Sequence, residues 1–565
     1  MKNLFNRRNA IILAAFLFLT SGIHGQQARP DFNRASDFDI QHYVLRVSFD
    51  RPTHKVIGDT TVRLKPLNEN FRRVTLDSVG ISYSSVTLEQ GGTPLKFRPQ
   101  GGSVIVDLDR AYSPNETVGI RFQYSAVPKK GIYFMPEQKG EGMPGHSAQI
   151  WTQGEPDEAR HWFPSFDFPS DKATTEQFIT ANRNETVVGN GTLVEKTDNP
   201  DGTVTHHFKM DAPHSTYLIS FVLGEYAVVK EKYREIPLGY YIYPGTESVV
   251  PKAYGRTGEM IRVFEEFTQV EFPFAKYDQT IVSAFNFGGM ENITATTMAD
   301  TEILLVNNPL FAGGVEDLVS HELAHSWFGN LVTCKNWAEL WLNEGFATFM
   351  EAAFREKAYG RRNYIVKILS DAEEFKIDDA VNTKRNGLFN RNAGNVSALF
   401  ERAATTYDKG GVVLHMLREQ VGDAAFWRAV NIYLNRHKFG SVESTDLRKA
   451  MEEASGQDLG WFFNQWVYGL GSPKLTVKQA YNPGSKTLTL TVSQTQKLDR
   501  LTPPAFRLPL DVEVHSGRNV SAEKIELRKR VETFRIKVAS RPTKLVFDKD
   551  EKIPLKMVKI LPLAK

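Results

Sequence analysis

The chain has 565 residues, and 41% of them are hydrophobic, which is enough for several domains with separate cores. Its formal net charge is +3, and residues 1–25 hold three basic residues and no acid, so removing them leaves a net charge of 0. Neither value favours nucleic acid or an anionic membrane surface as a partner. The single cysteine, Cys334, excludes an intramolecular disulfide and suits a bacterial periplasmic or secreted enzyme.

Residues 1–25 have the pattern of a secretory signal peptide. Lys2, Arg7 and Arg8 precede an apolar run that extends to about Thr20, and small residues follow up to Gly25. The run is too short for a comfortable membrane span, so we expect export to the periplasm or the medium and no membrane contact after removal. A retained segment that acts as an anchor is the alternative. The pattern leaves the export route and the cleavage site open.

The chain after the predicted signal peptide divides into three regions by the pattern of its hydrophobic residues. Residues 36–228 contain short alternating stretches such as "HYVLRVSFD" and "VGIRFQYSAVP", separated by turn residues, and predict an N-terminal β domain. Residues 229–470 predict a mainly helical domain, with amphipathic stretches at 254–271, 315–328, 338–358, 410–421 and 445–454. Alternation returns in residues 471–565, which predict a small C-terminal β-sandwich. The expected fold class is therefore α+β with several domains.

A metal-ligand pattern lies in the predicted helical domain. His321 and His325 of "HELAH" are four residues apart, so on a helix they lie one turn apart on the same face. Glu344 follows in "NEGFA" on a second predicted helix, and a short turn with an antiparallel helix would return its carboxylate to the same ion. Two histidines and one glutamate leave a fourth position open, as in catalytic zinc sites. Glu322, beside the first histidine, would face the water at that position.

Two further residues near this pattern have open roles. Cys334 lies between the two ligand stretches, and we expect it to pack in the core rather than to bind metal. Asn343 precedes Glu344, and it could orient a ligand or simply occupy a helix position.

Three more motifs accompany the His and Glu pattern. They are "TQGEPDEARHWFPSFDFP" at 152–169, "NFGGMENIT" at 286–294 and "TTYDKGG" at 405–411. In this order, together with "HELAHSWFGNLVT" and "WLNEGFAT", they resemble the gluzincin zinc aminopeptidases related to aminopeptidase N and leukotriene A hydrolase. The resemblance extends from about residue 40 to 470. Gly289 departs from the pattern, since many members have alanine there.

The resemblance implies a thermolysin-like catalytic domain that binds one Zn²⁺ per chain. His321, His325 and Glu344 would be the zinc ligands, and Glu322 would be the general base that activates water. The hydroxyl of Tyr407 would stabilise the oxyanion. The implied reaction is hydrolysis of the N-terminal residue from a peptide.

The resemblance also implies how a free amino terminus is selected. Glu291 matches the amine-binding glutamate of the family, and Glu155 matches a second residue that binds the same ammonium group. Two nearby acids repel each other unless a cation lies between them, so the pair suits an ammonium ligand. The backbone of Gly288, Gly289 and Met290 would run beside the substrate as an additional strand.

The end of the chain departs from the larger relatives, which continue into a long helical domain. No such pattern precedes Lys565, so we expect an exported member without that domain, whose cleft is more open or is closed by a second subunit of a homo-oligomer. The preferred N-terminal side chain, the peptide length and the physiological substrate stay open. Two alternative functions are an exported peptide-binding protein with an inactive peptidase fold and a bifunctional epoxide hydrolase and aminopeptidase. The presence of all five zinc-site and catalytic residues argues against the first alternative.

Overall fold

The computed structural model of the chain describes residues 29–140 and 144–563. The predicted signal peptide, residues 1–25, lies outside these ranges. From Phe32 onward the described residues form one compact unit. Within the described ranges, no helix combines the length and the apolar character that a membrane crossing needs.

The N-terminal region is built from strands, as predicted. Its strands are β1 (Phe38–Asp50), β2 (Lys55–Pro66), β3 (Phe71–Asp77), β4 (Ile81–Leu88), β5 (Lys96–Gln100), β6 (Ser103–Tyr112), β7 (Val118–Ala126), β8 (Ile132–Met135), β9 (Gln149–Thr152), β10 (Ala173–Asn182), β11 (Thr186–Gly189), β12 (Thr192–Asp198), β13 (Thr203–His214) and β14 (Phe221–Gly224). Every second residue of β7 is buried, which is the alternation that the sequence displays.

These strands form three sheets. The largest has the order β12-β13-β10-β1-β2-β7-β4, the second is β3-β6-β5, and the third is β11-β14-β9-β8. In the largest sheet β1 pairs parallel to β10, with Tyr43 opposite Thr175, and antiparallel to β2, with Val44 opposite Thr61. The third sheet matters for function, because the chain leaves β9 directly toward Glu155.

The middle region contains a sheet as well as helices. Its strands are β15 (Ala227–Tyr233), β16 (Ile236–Ile242), β17 (Tyr277–Val282), β18 (Gly289–Met290), β19 (Ala295–Ala299), β20 (Thr333–Cys334) and β21 (Ser441–Val442). The first five form one sheet in the order β15-β16-β17-β19-β18. The sequence did not predict this sheet, because β17 and β19 are buried at every position and so have no alternation. The domain boundaries at 228/229 and 470/471 stay predictions.

Among the described residues, the helices of the middle region include five that agree with the predicted amphipathic stretches to within a few residues and six that were not predicted. They are α1 (Val250–Ala253), α2 (Thr257–Thr268), α3 (Asp300–Ile303), α4 (Ala312–Ala324), α5 (Trp341–Tyr359), α6 (Arg361–Val381), α7 (Ala403–Thr406), α8 (Asp408–Val421), α9 (Asp423–His437), α10 (Ser444–Ser455) and α11 (Gly460–Trp466). Helix α4 ends four residues earlier than predicted, because backbone hydrogen bonds after His325 join residues five apart, as from Asn330 N–H to the carbonyl of His325.

The connection between α4 and α5 is longer than the short turn that we expected. It contains β20, which pairs with β21, and a single helical turn at Trp337–Glu339. Trp327, Leu331 and Val332 of this connection are buried in the core of the middle region. The core therefore fixes the path of the chain between the two ligand-bearing helices.

The C-terminal region consists of two small sheets, as predicted. Its strands are β22 (Lys474–Asn482), β23 (Thr487–Gln494), β24 (Leu508–Ser516), β25 (Asn519–Leu527), β26 (Val531–Lys537), β27 (Lys544–Phe547) and β28 (Met557–Ile560). One sheet has the order β26-β23-β22-β28 and the other β25-β24-β27. Buried residues of both sheets continue the hydrophobic cluster of the helical region, whereas most of the N-terminal strands have a separate cluster.

Candidate metal centre and cleft

Two packed helices bring the three predicted metal ligands together. His321 lies in the last turn of α4, and His325 follows the helix directly, with its N–H donating to the carbonyl of His321 at 3.3 Å. Glu344 lies in the first turn of α5. Its Oε2 atom is 3.3 Å from His321 Nε2 and 3.4 Å from His325 Nε2. All three side chains are buried, and their ligand atoms lie within 4.8 Å of one another.

The geometry of this cluster fits a small divalent ion. Two ligand atoms that are each about 2.0–2.1 Å from a tetrahedral ion are about 3.3–3.4 Å apart, which matches both nitrogen–oxygen separations. The other ring nitrogens are already bound, since His321 Nδ1 lies 2.8 Å from Glu351 Oε1 and His325 Nδ1 lies 2.8 Å from the carbonyl of Phe328. Both Nε2 atoms are therefore left to face Glu344.

Glu351 is a functional residue that the sequence analysis missed. It lies on α5 two turns after Glu344, on the same face of the helix, and it accepts a hydrogen bond from His321. Its other oxygen, Oε2, is 2.8 Å from Lys367 Nζ on α6. The seven-residue spacing from Glu344 was the available signal. Lys367, by contrast, lies on a helix that the pattern did not predict.

The predicted base, Glu322, is buried beside the cluster. Burial raises the pKa of its carboxyl to about 8, although the neighbouring histidines lower it. Its Oε2 atom is buried and has no hydrogen-bond partner among the described residues. The carboxyl also lies against the backbone of Gly289, where an added Cβ would be 2.3 Å from Glu322 Oε1. A residue with a side chain at this position would displace the carboxyl.

Tyr407 lies between α7 and α8 and contacts the ring of His321. Its ring stacks on the His321 ring, with centroids 5.9 Å apart and an interplanar angle of 17°. Helix α8 reaches this position by close contact with α5 through two glycines. A Cβ added to Gly410 would lie 2.7 Å from the Cα of Gly345, so side chains at either position would separate the helices.

The two predicted amine-binding acids lie at the ends of strands from different regions. Glu291 follows β18, the edge strand that pairs antiparallel to β19 with Met290 opposite Thr297. Glu155 follows β9, and its carboxylate oxygen is within 4.8 Å of oxygens of both Glu291 and Glu344. Burial raises the pKa of Glu155 well above its usual value, and the charge of Glu291 raises it further. Burial also raises the pKa of Glu291. A cation between the two groups would relieve this repulsion.

One cavity of about 530 Å³ contains every residue that the sequence singled out for the site. The ten residues that line it from that set are Glu155, Gly288, Gly289, Met290, Glu291, His321, Glu322, His325, Glu344 and Tyr407. Phe287 and Phe400, whose ring centroids are 5.6 Å apart, add an apolar wall that the sequence did not predict. The cavity therefore joins a metal-binding cluster, a buried carboxyl and an acidic pair.

The two residues with open roles have definite surroundings. Cys334 is a free buried thiol and belongs to none of the metal-binding groups found among the described residues. Among the described residues Asn343 hydrogen-bonds to neither histidine. Its Oδ1 accepts from Cys334 N–H at 3.0 Å, and its Nδ2 donates to the Tyr217 hydroxyl at 3.3 Å. Tyr217 in turn lies 3.3 Å from Glu291 Oε1, a contact that no sequence motif indicated.

Comparison with protein families identifies two regions of the chain. The family model described as "Peptidase M1 N-terminal domain" matches residues 40–218, which hold most of the N-terminal strands. The family model described as "Peptidase family M1 domain" matches residues 252–466, which hold α2 to α11 and all three predicted metal ligands. Together the two matches cover well over half of the chain.

Curated relatives point to the same family. The chain is similar to "Aminopeptidase 2, mitochondrial" of Saccharomyces cerevisiae, with 30% identity over 78% of this chain and 47% of that protein. It is also similar to "Glutamyl aminopeptidase" of Bos taurus, with 30% identity over 80% of this chain and 50% of that protein. "Probable aminopeptidase 1" of Saccharolobus solfataricus is 28% identical over 80% of this chain and 56% of its own length. The chain spans about half the length of these relatives, and it belongs to peptidase family M1, the gluzincin aminopeptidase family.

Proposed function

We propose that the chain is a zinc-dependent aminopeptidase that removes the N-terminal residue from peptides with a free amino terminus. The observation that carries this proposal is the joining of two kinds of group in one cavity of about 530 Å³. One is a buried donor set of two imidazoles and a carboxylate, and the other is a pair of buried acids whose carboxylate oxygens lie within 4.8 Å of each other. The names of the curated relatives support the same class of reaction.

His321, His325 and Glu344 would hold the Zn²⁺. The donor set of nitrogen and carboxylate oxygen is the one that zinc takes in catalytic sites. When bound there, the ion would polarise the scissile carbonyl and make water acidic enough to attack near neutral pH. Glu351 and the carbonyl of Phe328 hold the two rings in the tautomer that presents Nε2.

Three other groups of the chain would act on the substrate. Glu322 accepts the proton of the attacking water and passes it to the leaving amine. The Tyr407 hydroxyl, on a ring fixed against His321, donates a hydrogen bond to the oxyanion that develops on the scissile carbonyl. Glu155 and Glu291 bind the α-ammonium, and the exposed edge of β18 pairs with the backbone of the substrate.

Hydrolysis of a panel of aminoacyl fluorogenic amides tests the proposal. The protein without residues 1–25 is assayed with each amide, with its N-acetylated form and with a chelator. We expect cleavage of the free-amine substrates only, loss of activity with the chelator and recovery with Zn²⁺. Equal cleavage of acetylated substrates would exclude the amine-binding role of the acidic pair, and no cleavage of any substrate would favour a peptide-binding protein.

We also propose that the protein is exported after removal of about residues 1–25. N-terminal sequencing of the protein recovered from the periplasm or medium of an expressing bacterium tests this directly. Recovery only in the membrane fraction, with residue 1 retained, would favour an anchored form. Mass determination in solution tests whether a second copy covers the cleft.

A further inference from the structure

A buried row of hydrogen bonds lies behind the amine-binding side of the cleft. Cys334 N–H donates to Asn343 Oδ1 at 3.0 Å, Asn343 Nδ2 donates to the Tyr217 oxygen at 3.3 Å, and the Tyr217 hydroxyl lies 3.3 Å from Glu291 Oε1. Each of these four residues is less than 4% exposed. Tyr217 does not line the cavity itself, so it can reach a substrate only through Glu291.

The direction of every hydrogen bond in this row follows from its first member. A backbone N–H can only donate, so the amide atom of Asn343 that faces Cys334 must be the oxygen. The opposite amide atom is then the NH₂ group, which donates to the Tyr217 oxygen. The single hydrogen of the Tyr217 hydroxyl must therefore be donated onward, away from Asn343.

Glu291 is the better of the two acceptors within reach of that hydrogen. The alternative is the carbonyl of Gly329, at 3.5 Å, which already accepts a hydrogen bond from the Thr333 hydroxyl. The carboxylate is closer, and a hydrogen bond to a charged acceptor is stronger than one to a carbonyl. The ring of Tyr217 is buried and packs edge-on against Trp337 with centroids 5.4 Å apart, which restricts its movement.

We propose that Tyr217 is a positioning residue for the selection of a free amino terminus, acting by fixing the Glu291 carboxylate. This inference rests on the proposed aminopeptidase function and deepens it. Glu291 is held at both ends, since Tyr217 donates to its side chain and Asn330 Nδ2 donates to its backbone carbonyl at 2.9 Å. A carboxylate held in one orientation binds an ammonium without first losing rotamer freedom.

We therefore expect Tyr217 to strengthen the binding of the substrate and not to change the rate of the chemical step. Without its hydroxyl, Glu291 can take other rotamers, and the free-amine substrate binds more weakly. The KM for that substrate should rise about tenfold while kcat stays within about threefold, because the metal ligands and Glu322 are untouched. A substrate without the amine gains nothing from Glu291, so its binding should not change.

The experiment compares Tyr217→Phe with Tyr226→Phe. Both variants remove the hydroxyl from a buried phenol, but the Tyr226 hydroxyl donates to the carbonyl of Ile281 at 3.0 Å and not to an acid of the cleft. For each protein we measure kcat and KM with the best free-amine amide, bound metal, and thermal stability. A second measurement uses the Glu322→Gln background, in which the Kd of an uncleaved peptide is compared with that of its N-acetylated form.

The expected result is a loss of about tenfold in the free-amine preference for Tyr217→Phe, by both KM and Kd, with metal content unchanged and no such loss for Tyr226→Phe. An unchanged preference in Tyr217→Phe, when the wild-type protein prefers the free amine strongly, would overturn the inference and leave the proposed function intact. A wild-type protein with no preference would overturn both.

Asn343→Asp keeps the test decisive if Tyr217→Phe does not fold. The new side chain can still accept from Cys334 N–H, but it offers Tyr217 an acceptor in place of a donor. The Tyr217 hydrogen would then turn away from Glu291 with the phenol retained. We expect the same loss of preference for the free amine, and bound metal is measured alongside. An unchanged preference would contradict the proposed donor and acceptor assignment of these hydrogen bonds.

Discussion

The metal side of the cleft (His321, His325 and Glu344) and its amine side (Glu155 and Glu291) are built from different kinds of structure. The metal side lies on α4 and α5 and the residue that follows α4, which pack against each other in the core of the middle region. Its geometry is set by helical periodicity and by close backbone contact. Small changes in the packing of these helices therefore reach all three ligands together.

The amine side is assembled from chain segments that follow strands in two separate sheets. Glu155 comes after β9 of the N-terminal region, and Glu291 comes after the edge strand β18. Glu291 is held by individual hydrogen bonds, from Tyr217 to its carboxylate and from Asn330 to its backbone carbonyl, whereas Glu155 Oε1 is buried with no hydrogen-bond partner among the described residues. We infer that the metal side depends on packing, whereas the amine side can be altered one hydrogen bond at a time.

The largest expected effect comes from Glu322→Gln, which changes the group between the two sides. Removal of the proposed general base should lower kcat at least about 100-fold, because general-base catalysis contributes 10²–10⁴-fold. Bound metal should not change, since Glu322 is not one of the three ligands. Steady-state kinetics and metal analysis of the purified protein measure both quantities.

Glu316→Gln is the matched control on the same helix, since Glu316 pairs with Arg256 at 2.7 Å and does not line the cavity. It should retain its activity. Full activity in Glu322→Gln would show that another group takes the proton, and loss of metal would show that Glu322 belongs to the metal side.

Gly410→Ala tests whether the metal side depends on packing. The added Cβ would lie 2.7 Å from Gly345 Cα, so α8 and α5 must separate, which costs about 1–3 kcal/mol in well-packed cores. This exceeds the gain of about 1 kcal/mol in helix propensity. Glu344 adjoins Gly345 and Tyr407 lies one turn before Gly410, so activity should fall together with the melting temperature.

Gly314→Ala in α4 is the control for Gly410→Ala, because a Cβ at Gly314 meets no atom within 4 Å. Its melting temperature should be unchanged or higher. Equal melting temperatures for both variants would mean that the two helices do not need their close glycine contact.

The same difference explains which parts of the site could be predicted from sequence. The spacing of His321, His325 and Glu344 indicated one metal site because helical geometry converts spacing into position. Nothing in the spacing of Glu155 and Glu291 brings them together, and only the family resemblance paired them. The contacts of Tyr217 and Asn343 depend on how three separate segments pack, and no local pattern records that.

Secondary structure was likewise predictable only where a local sequence pattern reports it. Strands with one exposed face, such as β7, and helices with an amphipathic stripe, such as α10, were predicted from period alone. The fully buried strands β17 and β19 have no alternation, and α6 places apolar residues such as Val366 and Ile377 on its exposed face. Tertiary burial overrides local patterning in both cases.

Gly289→Ala tests the contact between the two sides. Family members with alanine at this position accommodate a Cβ, whereas in this chain the Cβ would lie 2.3 Å from Glu322 Oε1 and would move the carboxyl, so kcat is expected to fall about tenfold. Gly288→Ala, whose Cβ would instead meet the movable Leu318 side chain at 3.1 Å, should have a smaller effect. The ratio of the two kcat values measures how strongly the close contact with Gly289 fixes the Glu322 carboxyl. A larger loss of kcat for Gly288→Ala would contradict this role of the contact.

The smallest expected effect is the pH dependence of stability due to His415 on α8, the helix that follows Tyr407. Its Nε2 donates to the carbonyl of Glu551 at 2.9 Å, and its Nδ1 accepts from the Tyr364 hydroxyl at 2.8 Å, so the neutral ring is fully bonded. Burial lowers the pKa of His415 to about 4 in the folded protein. Between about pH 6.5 and 4 the unfolded chain therefore binds a proton at this residue that the folded chain does not.

Its stabilising contribution is complete above about pH 6.5 and is lost as the pH falls toward 4. Between pH 7 and pH 5.5 the wild-type protein should lose about 1 kcal/mol more free energy of unfolding than His415→Gln. Denaturant titration at both pH values measures this difference, and the variant of the exposed His54, His54→Gln, should keep the wild-type slope. His415 lies on α8, the helix that also holds the Gly410 contact. If the free energy of unfolding changes equally with pH in the wild type and in His415→Gln, this part of α8 loosens before the protein unfolds. Packing would then fix the metal side less rigidly than we infer.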